Sequence, residues 1–78
     1  MHEFNDWDTV YVHQLKPGDV LVTKYETRLV LDVKQFKRDR DYVRYTALII
    51  HRHDDRIRTL TDTAEYDDYW PGAVLIEP

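Results

Sequence analysis

Along most of this chain, apolar residues recur at every second position, and this period constrains the fold more than any other feature. The residues at these positions are mainly β-branched or aromatic, which is typical of strands with one buried face. Spacings typical of helices are rare. The sequence therefore predicts an all-β protein with strands at residues 9–15, 19–25, 28–36, 42–52, 56–61 and 73–77.

The length of the chain limits what such strands can build. A protein of 78 residues buries only about 60% of its unfolded surface, which is enough for one core and no more. Hydrophobic residues make up 42% and charged residues 33% of the chain, the composition of a globular protein rather than a disordered one. We therefore expect a single domain over residues 1–78, without an enclosed active site of ordinary size.

The phrase Pro-Gly-x-Val-Leu-aliphatic occurs twice, in residues 16–22 and 70–76. Each Pro-Gly pair suits the central positions of a type II turn, because proline pre-sets the first φ angle and glycine accepts a positive second one. Each turn then leads into a core strand, and the two copies are expected to face one interior through Val20, Val22, Val74 and Ile76. A gene-level duplication is the alternative, but nothing else in the two halves matches.

The remaining connections favour a closed fold. Residues 37–41 are polar enough for a hairpin loop and residues 53–55 for a shorter one, while Asp62 followed by Glu65 resembles a capping box and predicts one short helical turn before the last strand. Five or six short strands favour a small antiparallel barrel, because an open sheet leaves edges that recruit other chains. In that barrel the last strand lies beside the first or the second.

The order of these segments resembles that of the SH3-like small barrels. The segments PGDVLV, RLVLDV, YTALII, IRTL and GAVLI follow one another between residues 10 and 76. The resemblance implies a five- to six-stranded antiparallel SH3-like barrel with a short helical turn before the closing strand. The acidic-aromatic opening and the paired tryptophans of the peptide-binding SH3 family do not occur in the sequence, so recognition of proline-rich ligands is not implied.

Alternation also assigns the side chains of the two middle strands to faces. On the third strand it places Leu29, Leu31 and Val33 on one face. On the fourth strand, residues 42–52, it places Val43, Tyr45 and Ala47 on one face and Leu48 and Ile50 on the other, so both faces are apolar near the middle. We therefore expect the fourth strand to be a long central strand that is covered on both sides, either by the curvature of the barrel or by a partner molecule.

Charge is segregated along the chain. The formal net charge is −4, which is acidic for a dedicated nucleic-acid binder. Residues 1–27 carry two basic and five acidic side chains, residues 28–58 carry nine and five, and residues 59–78 carry none and five. The central hairpin is thus a basic island of +4 between ends of −3 and −5.

The basic island has two interpretations, and the sequence leaves both open. It can form a groove for a polyanion in which aromatic side chains such as Phe36 stack on bases. Alternatively, it is a solvated face whose cations pair across the sheet with aspartates of the same segment. The nucleic-acid-binding residues of the first interpretation are Arg28, Lys34, Lys37, Arg38, Arg40, Tyr42, Arg44, Arg52, Arg56 and Arg58.

The acidic end of the chain combines carboxylates with aromatic rings. Tyrosine and tryptophan are favoured anchors of protein interfaces, and clustered carboxylates can oppose a basic surface on a partner. The predicted protein-binding residues are Tyr66, Asp67, Asp68, Tyr69 and Trp70. The alternative is an ordinary cap whose aromatic rings plug one end of the barrel, and for Trp70 this alternative is favoured.

Residues suited to catalysis or to metal binding are scarce. The sequence has no serine and no cysteine, so the usual hydroxyl and thiol nucleophiles are missing. His51 and His53 share one face of a strand, but two ligands are too few for a metal site. We therefore expect a protein that is not an enzyme and that has no metal and no cofactor.

Together these observations favour a non-catalytic binding module that engages another protein through its charged and aromatic surface, with nucleic-acid binding as the alternative. The lack of cysteine indicates a cytoplasmic location, and nothing in the sequence indicates a membrane. A long exposed strand can pair with its own copy, so a homodimer formed by strand pairing is a further expectation. Small acidic modulators of this kind are typical of bacteriophages and other mobile elements.

Overall fold

The computed structural model of the protein describes residues 9–37 and 40–78. This part of the chain contains one 3-10 turn (Val12–Gln14) and seven strands, which confirms the predicted all-β class. The strands are β1 (Thr9–Tyr11), β2 (Val20–Val22), β3 (Glu26–Lys37), β4 (Asp41–His51), β5 (Asp54–Glu65), β6 (Tyr69–Pro71) and β7 (Val74–Ile76).

The strands form two antiparallel sheets rather than a barrel. Five of them make an open sheet in the order β5-β4-β3-β2-β7, and β1 pairs with β6 in a separate two-stranded sheet. The predicted closed barrel is therefore wrong. Closure requires the two edge strands to pair, but β5 has 12 residues and β7 has three, and β7 ends the sheet beside β2. The position of the last strand beside the second predicted strand is confirmed.

The two copies of the repeated phrase lie side by side, as β2 and β7. Leu21 pairs with Leu75, and these two side chains face the interior: Leu21 is fully buried and Leu75 packs against it. Ile76 is 53% exposed. The two strands thus share one interior, but the prediction that Val20, Val22, Val74 and Ile76 face it is wrong by one residue. In a run of consecutive aliphatic residues, the sequence does not indicate which alternate positions point inward.

Each copy begins with the glycine-containing turn that the sequence predicts. Gly18 has a φ of 92° and Gly72 a φ of 63°, as the third position of a type II turn requires. In the first turn the amide of Asp19 donates to the carbonyl of Lys16 at 3.1 Å. The buried Asp19 carboxylate in turn accepts from the amide of Lys16 at 2.9 Å, which closes the turn from both sides.

A β-bulge at Leu31 changes the faces of β3. Val30 pairs with Ala47 and Asp32 pairs with Thr46, so Leu31 has no partner in the register. The extra residue reverses the alternation, and Val30 and Val33 both reach the core while Leu31 is 46% exposed. The prediction that Leu29, Leu31 and Val33 share a face is therefore wrong, because period-two counting cannot locate a bulge.

The predicted central position of the fourth strand is confirmed, since β4 lies between β3 and β5. Its inner face is buried at Val43, Tyr45 and Ala47. Its outer face is open to solvent, and Ile50 is 45% exposed there. Coverage of both faces by barrel curvature is therefore wrong, and coverage by a partner molecule stays a prediction.

The predicted helical turn before the last strand is also wrong. β5 continues to Glu65, through the predicted capping box, and a β-turn leads from it into β6. The 3-10 turn lies instead at Val12–Gln14, inside the predicted first strand. A short loop between β4 and β5 is present, but it consists of Arg52 and His53, since Asp54 and Asp55 of the predicted loop belong to β5. Arg38 and Asp39 of the longer predicted loop lie outside the described residues.

The core consists of two clusters under the five-stranded sheet. The larger joins Val12 and Leu15 to the inner faces of β3 and β4, and the smaller joins Val10, Leu21 and Ala73. Trp70 and Leu75 pack against both clusters. The β1-β6 sheet therefore covers part of the inner face and leaves the long β3-β4-β5 ribbon extending beyond it. Within the described residues, no helix has the length and apolar character needed to cross a membrane.

Candidate protein-binding surface

The acidic segment between β5 and β6 forms a tight turn, residues 65–68, which we call the acidic turn. The amide of Asp68 donates to the carbonyl of Glu65 at 3.0 Å, and the Asp68 carboxylate accepts from the amide of Glu65 at 3.2 Å. The amide of Val12 donates to the carbonyl of Asp68 at 2.8 Å. The Asp68 side chain therefore stabilises the turn, and the Asp67 side chain lies exposed on its surface.

Trp70, which belongs to the predicted binding set, lies partly buried between the two core clusters. The edge of one ring meets the face of the other between Trp70 and Tyr45, with 5.9 Å between centroids. The guanidinium of Arg28 lies 5.8 Å from the Trp70 ring centroid. Trp70 thus packs the interior, as the alternative interpretation of this residue expects.

The other aromatic residues of this end form a row on the surface. Tyr66 stacks on His13 with 4.5 Å between centroids and 14° between planes, and His13 stacks on Tyr11 at 5.4 Å and 16°. Tyr11 then meets Tyr69 at 5.8 Å and 57°. We call these four side chains the aromatic row. Tyr11 is 42% and Tyr69 is 59% exposed, so one end of the row is open to solvent.

The row follows from the pairing of β1 with β6. Val10 is opposite Trp70 and both point into the interior, so the next pair, Tyr11 and Tyr69, points outward. The 3-10 turn then brings His13 beside Tyr11, and the Gln14 side chain fixes this turn by accepting from the Tyr11 amide at 2.7 Å. The buried pair of Val10 and Trp70 thus holds the exposed pair of Tyr11 and Tyr69 in place.

Tyr11 and His13 belong to this surface but were not predicted to do so. Both alternate with buried residues, Val10 and Val12, so their outward direction was available from the period of the first strand. Their proximity to Tyr66 and Tyr69 was not, because it depends on β1 pairing with β6 rather than on any local pattern.

The acidic turn gives the aromatic row negative neighbours. Asp67 and Asp68 are exposed next to Tyr66. Glu65 makes an ion pair with Arg40 at 2.9 Å, but both side chains are more than half exposed, and such pairs contribute little because water screens them. The surface is therefore a rigid aromatic row flanked by carboxylates.

The predicted nucleic-acid-binding residues do not form one groove. β4 has 11 residues, so its two ends lie about 33 Å apart at a rise of about 3.3 Å per residue. Lys37 and Arg40 lie at one end of the β3-β4 hairpin, and Arg52 lies at the other. Arg38 lies outside the described residues. The remaining cations are divided between the two faces of the sheet.

On the inner face, Arg28 belongs to a partly buried polar network. Its Nε donates to the Glu26 carboxylate at 2.6 Å, and its Nη1 donates to the Tyr45 hydroxyl at 2.6 Å. Burial raises the pKa of Tyr45 above its usual value of 10.0, while the nearby Arg28 charge opposes this rise and Asp62 adds to it. Arg28 therefore holds Tyr45 and Trp70 in place, which is a structural role.

The Tyr45→Phe variant is expected to lose less stability in alkaline solution than the wild type. A raised pKa in the folded state means that the neutral hydroxyl stabilises the fold below about pH 10, and that this contribution is lost as the pH rises through the folded-state pKa. Urea unfolding between about pH 8 and pH 11 measures the difference. Tyr25→Phe, at a side chain that is 70% exposed, is the matched control, and a Tyr45→Phe curve parallel to the control would contradict the assignment.

At the far end of the β4-β5 hairpin, the basic side chains are paired. Arg58 lies 3.2 Å and Arg56 lies 3.9 Å from the carboxylate of Asp54. They line an open groove of about 580 Å³ that also contains Ile49 and His51. These cations pair with an aspartate of the same segment, as in the second interpretation, but the pairs lie within β5 rather than across the sheet.

Three of the predicted residues, Lys34, Tyr42 and Arg44, do come together with Phe36 on the outer face. Phe36 is opposite Tyr42, and Lys34 is opposite Arg44 in the next outward pair of the register. The guanidinium of Arg44 lies 5.2 Å from the Phe36 ring centroid. This outer cluster is the part of the basic island that retains both a cationic and an aromatic character.

His51 and His53 do not extend into a metal site. Their ring centroids are 6.1 Å apart, and over residues 9–37 and 40–78 no group of three or more His, Cys, Asp and Glu is arranged to hold a metal ion.

Comparison with known proteins found no matching family, no matching characterised protein and no matching solved structure. The resemblance to SH3-like barrels therefore stays a prediction.

Proposed function

We propose that this protein is a non-catalytic binding module that holds a basic, extended segment of another protein on the aromatic row and the acidic turn. The observation that carries the proposal is the row itself. Its rings are stacked on one another, and its exposed end, at Tyr11 and Tyr69, lies on the β1-β6 sheet. The acidic turn leads directly into β6 of this sheet. A surface of this kind attracts cations and offers them flat faces.

The chemistry of the surface selects for arginine and lysine. A guanidinium or ammonium group is attracted to the face of a tyrosine ring, with about 0.5–1 kcal/mol gained at exposed sites. A carboxylate beside the ring, such as that of Asp67, adds charge complementarity and raises the association rate. An extended peptide places alternate side chains about 7 Å apart, which is close to the 5.8 Å between Tyr11 and Tyr69.

The rigidity of the row favours affinity. Tyr11 and Tyr69 are opposite each other in a paired sheet, and Tyr66 and His13 are held by mutual stacking and by core contacts of Tyr66. Tyrosines that are already ordered lose little conformational entropy on binding, which is why they are frequent among the residues that dominate interfaces.

A peptide of alternating arginine and glycine is the probe that tests the proposal, with binding followed by isothermal titration calorimetry at low and at physiological salt. Tyr69→Ala is expected to weaken binding about tenfold or more, since removing a central aromatic anchor costs about 2 kcal/mol. Asp67→Lys is expected to weaken binding most at low salt and so to reduce the salt dependence of the affinity. Both positions are exposed, so the fold is expected to survive.

The matched controls lie away from the surface. Tyr25→Ala removes another exposed tyrosine, and Asp55→Lys reverses an exposed carboxylate at the far end of β5. If the controls weaken binding as much as Tyr69→Ala and Asp67→Lys, or if the wild type fails to bind the peptide at low salt, the proposal is wrong.

The outer cluster of Lys34, Phe36, Tyr42 and Arg44 supports a second candidate function, the binding of single-stranded nucleic acid. An aromatic pair can stack on bases while the two cations contact phosphates. A single-stranded oligonucleotide is therefore titrated in parallel with the peptide. Binding that falls steeply with salt and is lost on Arg44→Glu, while Tyr69→Ala leaves it unchanged, would favour this function over the first.

A further inference from the structure

The edge formed by β5 is long and unusually regular. β5 is the last strand of the five-stranded sheet, and within the described part of the chain it pairs with β4 alone. From Ile57 to Glu65 its register with β4 is continuous, and the single irregularity lies before Ile57. A long edge of this kind is a template for another strand, because its outward backbone groups have no partner among the described strands.

Charge along β5 is arranged so that the strand complements itself. Arg56 and Arg58 lie in its first half, and Asp62 and Glu65 lie in its second half. Antiparallel pairing places the first half of one copy against the second half of the other. Opposite charges in facing positions stabilise such a pair, and like charges destabilise it.

A two-fold axis restricts the possible registers, because a symmetric antiparallel pair places one residue opposite its own copy. With Arg58 at the axis, two arginines face each other. With Thr61 at the axis, Leu60 faces Asp62 and no ion pair forms. With Thr59 at the axis, Arg56 faces Asp62, but Arg56 lies before the regular part of the strand. With Leu60 at the axis, Arg58 faces Asp62 twice and two leucines meet between these pairs.

We propose that the chain forms a two-fold symmetric dimer by antiparallel pairing of β5 with β5 of a second copy, with Leu60 at the axis. The paired residues from Ile57 to Thr63 all lie in the regular part of the strand. Arg58 and Asp62 are both exposed in the single chain, and their side chains lie on the same face as Leu60 because alternate residues of a strand do. The dimer joins two five-stranded sheets into one, and it uses the β5 edge rather than the β1-β6 sheet that carries Tyr11 and Tyr69.

Charge reversal tests the interface. Sedimentation velocity over a concentration series is expected to show a species of twice the 9.5 kDa chain mass. Arg58→Asp and Asp62→Arg are each expected to weaken dimerisation at least tenfold, and the double variant is expected to restore it, because the charges then face each other with signs exchanged. Arg44→Asp, on the outer face of β4, is the control. A chain that stays monomeric at about millimolar concentration, or a dimer that both single reversals leave unchanged, overturns the proposal.

Cysteine substitution tests the register. The chain has no cysteine, so each single variant carries one thiol. Leu60→Cys is expected to form a disulfide-linked dimer under mild oxidation, because facing Cβ atoms lie about 4.5–5.5 Å apart. Thr59→Cys faces Thr61 of the partner subunit in this register and is expected to remain unlinked. Linkage through Thr59→Cys with none through Leu60→Cys overturns the proposed axis.

Discussion

The Trp70→Ala variant is expected to lose about 3 kcal/mol or more of its free energy of unfolding, which is a large share of the roughly 5–15 kcal/mol that holds a small domain together. Trp70 is the side chain through which the β1-β6 sheet packs on both core clusters, on the Tyr45 ring and under the Arg28 guanidinium. Its removal leaves a cavity where these groups meet. Urea denaturation followed by circular dichroism measures the change.

Two further variants make this result specific. Trp70→Phe keeps part of the contact with Tyr45 and is expected to cost less than Trp70→Ala. Tyr25→Ala, at a side chain that is 70% exposed, is expected to change stability by no more than about 0.5 kcal/mol. If Trp70→Ala were as mild as Tyr25→Ala, Trp70 would not be the link between the two sheets.

Deletion of Thr46 is expected to abolish folding, whereas deletion of Leu31 is expected to be tolerated. Thr46 lies in β4, which pairs with strands on both sides. Its removal shifts the strand by one residue, so Val43 and Tyr45 turn outward relative to Ala47. These three residues are almost fully buried, and no bulge is available in β4 to absorb the change.

Deletion of Leu31 has the opposite consequence because Leu31 is the extra residue of the bulge. Without it, Val30, Asp32 and Val33 alternate regularly against Ala47, Thr46 and Tyr45, and the core faces are unchanged. The dispersion of amide signals in two-dimensional NMR spectra and the presence of a cooperative thermal transition distinguish the two deletions. A folded protein without Thr46, or an unfolded one without Leu31, would contradict the register.

The sequence contained enough information for the fold class and for the neighbours of most strands. Period-two alternation correctly separated the faces of β4, where Val43, Tyr45 and Ala47 are buried. Alternation failed in the aliphatic run around Leu21, where every residue is apolar and either set of alternate residues could point inward. It also failed at Leu31, where an extra residue exchanges the inward and outward positions of the strand. The sequence also could not show that the sheet stays open instead of closing into a barrel, because closure depends on the relative lengths of strands that are distant in the sequence.

The surface was predictable only in part. Tyr66 and Tyr69 were recognisable as aromatic residues beside acidic ones in the sequence. Tyr11 and His13 join them only through the β1-β6 pairing. The basic island was a real feature of the sequence, but the length of β4 separates its two ends. Linear proximity therefore predicted a cluster of aromatic residues at a turn better than it predicted a groove of cations along a hairpin.

Mapping of amide chemical shifts during titration with the arginine-glycine peptide tests the central claim most directly, because it locates the binding surface without altering the protein. We predict that the shifts concentrate at the aromatic row and the acidic turn, with the largest changes at Tyr11, Asp67 and Tyr69. Shifts confined to Lys34, Phe36, Tyr42 and Arg44, or no shifts at all at millimolar peptide, would contradict it.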